Sequence, residues 1–356
     1  RPAPAPVPGI SGAKNIASGA NHSCAVVAGG KVSCWGRNNA GQAGASPSNT
    51  VTATSVPGVR AAAQITAGEA HTCARASTGS LLCWGHNADG QLGDGSQTDR
   101  SKPKSVPGVM ANSVASGRQF TCAATRQGGV KCWGNNEGGS LGTGSVGTRT
   151  RLDATNIRGL TDVTTLAAGD LFACASTSRG DVSCWGNNTF GQLGDGSNNM
   201  HPTPNPVAGL SNIASVAAGP LHACAVDKNG AAKCWGNNDS GQLGDGSKAP
   251  RGRPVAVAGL RDAVMIAPGQ GHTCALRRTG GVVCWGKNPN GQLGDGSTND
   301  RKKPVAVQGL SGVTQIVAGN DHNCALLSRG TVSCWGSNLH GQIGNGAGAR
   351  QLALPM

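Results

Sequence analysis

Residues 272–286 read HTCALRRTGGVVCWG. Cys274 and Cys284 stand ten positions apart, His272 precedes the first by two, and Trp285 follows the second. The frame returns at residues 22–36 as HSCAVVAGGKVSCWG and at 322–336 as HNCALLSRGTVSCWG. Outward from these copies, Cys-Trp-Gly recurs at Cys34, Cys83, Cys132, Cys184, Cys234, Cys284 and Cys334, in steps of 49, 49, 52, 50, 50 and 50 residues. A fixed period near fifty residues marks a repeat architecture.

Each unit carries the same pieces in the same order. An apolar run ending in Gly (VTQIVAG, 313–319) leads to His-x-Cys-Ala, a Gly-containing turn, Val-x-Cys-Trp-Gly, and a loop of the type GQLGDGS. A variable basic link follows, and then a short extended piece such as KPVAVQGL, 303–310. Four short β-type segments punctuated by Gly, Asn and Pro form one four-stranded sheet. No helical periodicity competes with this. Seven units that cannot bury a face alone predict an all-β, seven-bladed propeller of four-stranded antiparallel blades. The approximate repeats are 10–58, 59–108, 109–159, 160–209, 210–259, 260–309 and 310–356. Residues 1–9 are a Pro-rich segment that completes a blade or docks on a neighbour.

The repeat VAAGPLHACAVDKNGAAKCWGNNDSGQLGDGS (216–247) resembles that of the regulator-of-chromosome-condensation propellers. The matching pieces are A-G-x-x-H-x-x-A, G-x-V-x-x-W-G and N-x-x-G-Q-L-G, in seven copies over essentially the whole chain. The resemblance implies the fold and leaves function open, since that superfamily holds an exchange factor that binds chromatin, ubiquitin-ligase modules, a secreted bacterial β-lactamase inhibitor and bacterial surface proteins.

The cysteines depart from the family pattern. There are fourteen, with no odd one. In CAVVAGGKVSC, counting inward from Cys24 and Cys34 pairs Val27 with Lys31 and leaves AGG as a hairpin loop. Directly opposed residues lie close enough for a disulfide. The expected pairs are Cys24–Cys34, Cys73–Cys83, Cys122–Cys132, Cys174–Cys184, Cys224–Cys234, Cys274–Cys284 and Cys324–Cys334. Closing an 11-residue loop stabilises each blade by roughly 2.8 kcal/mol in the chain-entropy model. Seven such staples imply an oxidising compartment: secreted, at the cell surface or periplasmic. Zinc is the alternative, because His22, Cys24 and Cys34 share a strand face. Phe120 and Phe172 take the histidine's place in two units that keep both cysteines, so the histidine reads as packing and no metal is expected.

The seven tryptophans follow the second Cys in every unit and read as bulk between blades, the more so with no Tyr and three Phe in the chain. Asp94, Asp195, Asp245 and Asp295 of the GDGS loops read as turn formers, since Ala45, Thr143 and Asn345 replace them elsewhere and one carboxylate per loop makes no calcium cage. The irregular residues Glu69, His86, Glu137, His201 and His340 pair with no nucleophile or second carboxylate, so the reading is of a protein that is not an enzyme and takes no cofactor.

Charge is the remaining signal: 30 basic against 17 acidic residues, a net +13. One set follows the GDGS loops: Arg100, Lys102, Lys104, Arg149, Arg151, Arg251, Arg253, Arg301, Lys302 and Lys303. These are the candidates for a basic rim that binds an acidic polysaccharide or other polyanion. A second set, Arg75, Arg126, Arg179, Lys228, Arg277, Arg278 and Arg329, lies at the cysteine hairpins. No aromatics interleave with either set, which argues against a specific nucleic-acid site. No run of 18 apolar residues exists, so no membrane span is expected. The start at Arg1 without a leader pattern suggests a processed protein or an excised domain. RPAPAPVPGI (1–10) aligns with RKKPVAVQGL (301–310), and RQLALPM (350–356) resembles the beginning of that piece, so either end can supply the last strand. Arg1, Pro2, Pro4, Pro6 and Val7 are therefore candidates for self-assembly onto a neighbouring copy. Sequons occur at Asn21, Asn187 and Asn238. Together these features point to a non-enzymatic extracellular scaffold, with a protein or copies of itself as partner. A secreted inhibitor using one loop face and a polyanion binder are the alternatives.

Overall fold

The structure, a computed structural model, describes residues 1–147 and 150–346. It holds seven four-stranded sheets set around a central axis. In blade 1 the strands run Asn15–Ser18, His22–Val27, Lys31–Asn38 and Ser48–Ser55, from the axis outward. Blades 2 to 6 repeat this order, beginning at Ala62, Ala111, Val163, Ile213 and Ala263. Every neighbouring pair within a blade is antiparallel. The loops after the first and third strands therefore share one face of the disc. The hairpins between the second and third strands share the other with the links between blades.

The second strand of each blade is nearly wholly buried and the outer strand largely exposed. Lys302, Lys303 and Pro304 on the outer strand of blade 6 show how those edges are kept from pairing with another chain: proline removes a donor and lysine adds repulsion. The tip of the first hairpin is turned by Gly29 and Gly30 at φ of 74° and 68°, a region open to glycine at no steric cost.

In each blade the two cysteines face each other across the hairpin and form a disulfide, with Cα atoms 4.0 to 4.1 Å apart. Each pair joins a core wedged between blades. Cys24 and Cys34 pack with Val26, Val32 and Val56 against Trp84 of blade 2, and Cys274 and Cys284 pack against Trp335 of blade 7. All seven indole rings are fully buried. Each Nε1–H donates at 2.8 to 3.0 Å to a backbone carbonyl of the preceding blade, such as Trp285 to Gln242. The tryptophans therefore join blades rather than offering a stacking surface.

The N-terminal segment closes the ring. Ala5–Pro6 forms the outer strand of blade 7, with Ala5 opposite Cys334 and Pro6 opposite Ser333. The Val7 amide donates to the Val332 carbonyl at 2.9 Å, and Val7 is buried beside Trp35 and Ile343. Arg1 and Pro2 stand where Arg301 and Lys302 stand one blade earlier: Pro2 covers Gly291 as Lys302 covers Gly241. The first residues and the last blade thus belong to one sheet, and unfolding either end breaks the ring. RQLALPM lies outside the described residues.

Candidate interaction interface

The axial channel, about 620 Å³, is lined by the seven inner strands. Its walls are mostly Ala, Val and Gly, with amide side chains bridging neighbouring blades: Gln315 bonds both the N–H and the carbonyl of Ile16. The channel ends in a ring of glycines, Gly19, Gly68, Gly117, Gly169, Gly219, Gly269 and Gly319. A Cβ on any of them would strike the carbonyl of the next glycine in the ring, and in most of them the aromatic ring of its own blade as well. Glycine is required there by close approach.

Those aromatic rings form a second, inter-blade circuit. His22, His71, His222, His272 and His322 are buried, and each Nε2 lies 2.8 to 2.9 Å from a polar side chain of the next blade: Thr72, Thr121, Thr273, Asn323 and Ser23. The acceptor itself is held by a carbonyl of the histidine's own blade; Thr273, for example, donates to the Gln242 carbonyl. The hydroxyl proton is thereby committed, so Nε2–H of the histidine is the donor. Nδ1 of the same rings is buried with no partner among the described residues. Burial accordingly holds His71, His222 and His322 down to a pKa of about 3 and His22 to about 4, with His272 lowered as well. Where Phe120 and Phe172 replace histidine, the facing residues of the next blade are Ala173 and Ala223. Donor and acceptor have disappeared together.

The face that carries the glycine ring is built from self-satisfied loops. Asn288 Oδ1 accepts from Leu293 N–H, and its Nδ2 donates to Asp295 and to loop carbonyls. Asp295 accepts from Ser297 and pairs with Arg301 at 3.0 Å. Asp94 with Arg100, Asp245 with Arg251 and Asp195 with His201 repeat the arrangement. Burial pushes these carboxyls upward, but the hydrogen bonds from Ser and the basic partner outweigh it and hold all four below the usual range. The remaining acids here are Glu69, Asp89, Asp99, Glu137, Asp170, Asp239, Asp300 and Asp321, so this face carries twelve carboxylates. Eight of the nine ion pairs found among the described residues lie on it. At the channel mouth Arg118 pairs with Glu69 at 3.1 Å, and burial raises the Asp170 carboxyl beside them.

The hairpin face has the opposite character. Hairpins bring Lys31, Arg75, Arg126, Lys131, Arg179, Lys228, Lys233, Arg277, Arg278 and Arg329, and the inter-blade links bring Lys14, Arg60, Arg158 and Arg261. Against these fourteen cations stand Asp162, Asp181, Asp227 and Asp262. Arg277 with Asp262, at 3.0 Å, is the one ion pair among the described residues of this face. The second basic set of the sequence thus gathers on one surface, enlarged by link residues that no motif had marked. The link and the hairpin of the preceding unit are paired in the folded ring, as in the Ala13 amide donating to the Gly330 carbonyl.

The rim candidates are distributed otherwise. Arg100, Arg251 and Arg301 are tied to loop aspartates, whereas Lys102, Lys104, Arg151, Arg253, Lys302 and Lys303 lie along outer strands around the circumference. Arg149 lies outside the described residues. Arg1, Pro2, Pro4, Pro6 and Val7 belong to the closing strand and its flanks, so using them on a neighbouring copy requires exchanging that strand between rings. Asn238 is buried and donates to Asp245, Ser247 and the Ala249 carbonyl, so its amide is not open to a glycan. Among the described residues no group of three or more His, Cys, Asp or Glu side chains is placed to hold a metal.

The fold, the repeat and the loop chemistry define a regulator-type propeller, a protein-interaction scaffold. The RCC1-like domain family model matches residues 114–355, and models of the regulator of chromosome condensation (RCC1) repeat match 13–42, 62–91 and 78–124. The chain belongs to the RCC1-like domain family. No curated protein sequence matches it. Among solved structures, human WBSCR16 superposes with a TM-score of 0.82 at 21% identity, over 95% of this chain and 90% of that one. Prp20p of Saccharomyces cerevisiae, described with its binding to Gsp1p and histones, gives 0.76 at 22% identity over 90% and 81%. The CRINKLY ectodomain of the Arabidopsis thaliana receptor kinase ACR4 gives 0.55 at 20% identity over 94% and 98%. At these identities the likeness is one of fold.

Proposed function

We propose that the protein is a non-catalytic interaction module that works outside the cytoplasm and presents the faces of a rigid disc to partners. The observation that carries this reading is the disulfide in every blade, with no free cysteine. A reducing compartment would open such hairpins, and the oxidising exterior keeps them closed. The non-catalytic part is supported by the commitment of the polar groups: the histidines join blades, and the loop aspartates brace their own turns and outer strands. A protein partner is in keeping with the Gsp1p and histone binding reported for the similarly folded Prp20p. Thiol titration of protein taken from its native cell tests the compartment. No reactive thiol is expected before reduction and fourteen after it; fourteen in the untreated protein overturn the reading. Electron microscopy of the same material separates single discs that bind a foreign partner from a filament of exchanged strands.

A further inference from the structure

We infer that the hairpin face is a binding site for a linear acidic polysaccharide, recognised by its uronate or sulfate groups; the choice of ligand rests on the extracytoplasmic reading above. Four observations carry it. First, most cations of this face carry no carboxylate partner: Lys131 and Lys233 donate only to the Gly108 and Gly209 carbonyls, and Arg75 to Gln64 and the Ala76 carbonyl. The other face answers its acids with eight ion pairs, whereas here one pair stands among fourteen cations. Second, the site is continuous around the axis rather than a scatter. Arg126 reaches back over Gly79 of the preceding hairpin, and Arg278 Nη2 donates to the Asn229 carbonyl of the preceding hairpin at 3.4 Å. A chain of anions laid around the disc would meet a cation at every blade.

Third, the hairpins are held in place before binding. Each carries its disulfide within a few residues of the tip, as Cys174–Cys184 does for Arg179, so little ordering entropy remains to be lost. Fourth, the chemistry selects the anion. Arginine predominates, and its planar fork matches carboxylate and sulfate oxygens two at a time. The tryptophans, Phe120 and Phe172 are all buried, and the third phenylalanine, Phe190, lies on the opposite face. Stacking on bases therefore has no platform here. The large apolar side chains exposed on this face are the isolated Met110 and Val264, too few to anchor the disc in a bilayer. On the opposite face eight of the twelve carboxylates are already paired with that face's own basic groups, so it offers the polymer no comparable run of unpaired cations and the disc docks one way up.

The test uses the whole disulfide-bonded protein, with its thiols titrated first. The probes are polygalacturonate and heparin, with duplex DNA and vesicles of phosphatidylserine and phosphatidylcholine as competitors. Two charge-reversal variants are compared: one replaces Arg126, Arg179, Lys228 and Arg329 by Glu, the other replaces Lys102, Lys104, Lys302 and Lys303 by Glu. The near-ultraviolet circular dichroism of the buried tryptophans confirms that both are folded. Binding that weakens steeply with salt is expected for the unaltered protein. The hairpin variant should lose at least about tenfold in affinity at roughly 0.1 M salt and show a shallower salt slope, because fewer counterions are released. The circumferential variant should lose much less. Equal losses in the two variants, or no polysaccharide binding at low salt, would overturn the proposal. Tighter binding of DNA or of vesicles than of either polysaccharide would overturn the choice of ligand. Free thiols in the native protein would instead sink the extracytoplasmic reading, whatever the binding result.

Discussion

Changing His222→Phe and Thr273→Ala, singly and together, tests whether the inter-blade circuit works as a set of matched pairs. In the structure His222 Nε2–H donates to Thr273 at 2.8 Å, and Thr273 donates onward to the Gln242 carbonyl at 2.8 Å. Thr273→Ala removes the acceptor and leaves a buried N–H without a partner, which costs about 1–3 kcal/mol. The Gln242 carbonyl suffers less, because Trp285 still donates to it. His222→Phe leaves the threonine hydroxyl bonded to Gln242 and removes only what it accepted, for a loss of about 1 kcal/mol or less. The double variant reproduces the pairs Phe120 with Ala173 and Phe172 with Ala223, extending a run that the ring already contains. It should therefore be more stable than the sum of the single effects by about 1–2 kcal/mol. Guanidinium unfolding followed by tryptophan fluorescence, with disulfides intact, gives the four stabilities. A cycle additive to within about 0.5 kcal/mol would refute the matched-pair account.

Acid should destabilise the ring through the same residues. Their folded pKa values, about 3 for His71, His222 and His322 and about 4 for His22, lie below the unfolded value of 6.5. As pH falls the unfolded chain takes up protons first, so this stability is present above about 6.5 and is lost toward the folded values. Between pH 7 and pH 5 the loss is on the order of 2 kcal/mol per histidine, visible as a falling denaturant midpoint; an unchanged midpoint would contradict it. Asp245→Asn should loosen the loop it organises, since the carboxylate serves Ser247 and Arg251 together. A loss of about 1–2 kcal/mol is expected, with faster proteolysis near Gly246 as the readout. Replacing both Cys274 and Cys284 by Ala should cost roughly 2.8 kcal/mol by chain entropy, measured against the parent under non-reducing conditions. A cost near zero would mean that the hairpin is already formed in the unfolded chain.

The period of Cys-Trp-Gly and the two-residue alternation were enough to read seven blades, because both are local. A hairpin's register follows from its turn, and AGG between Val27 and Lys31 leaves little choice. The tryptophans were legible as bulk between blades for a compositional reason: the chain has almost no other large aromatic side chain to fill those gaps. The histidine circuit was half legible. Phe120 and Phe172 showed that the position tolerates an apolar ring, yet the histidines read as packing, because their partners stand some fifty residues away, across a blade boundary. The compensating Ala173 and Ala223 were present in the sequence, but only the neighbourhood of blades gives them meaning.

The charges divide in the same way. Sequence order groups Arg100, Lys102 and Lys104 as a cluster after a loop. In the folded disc Arg100 is spent on Asp94, while the two lysines face outward on an edge strand. No motif marks Arg60, Arg158 and Arg261 in the sequence, and antiparallel pairing carries every link to the face of the hairpins. The ends show the same limit: RPAPAPVPGI and RQLALPM both suited the last strand, and it is the N-terminal piece that pairs with Val332–Gly336. The sequence by itself determined the blade, its staple and the number of copies, since these rest on contacts within about fifty residues. Only the closed ring decided which strand completes it, which histidines find acceptors, and that the disc has one acidic and one basic face, because each depends on what the neighbouring blade brings.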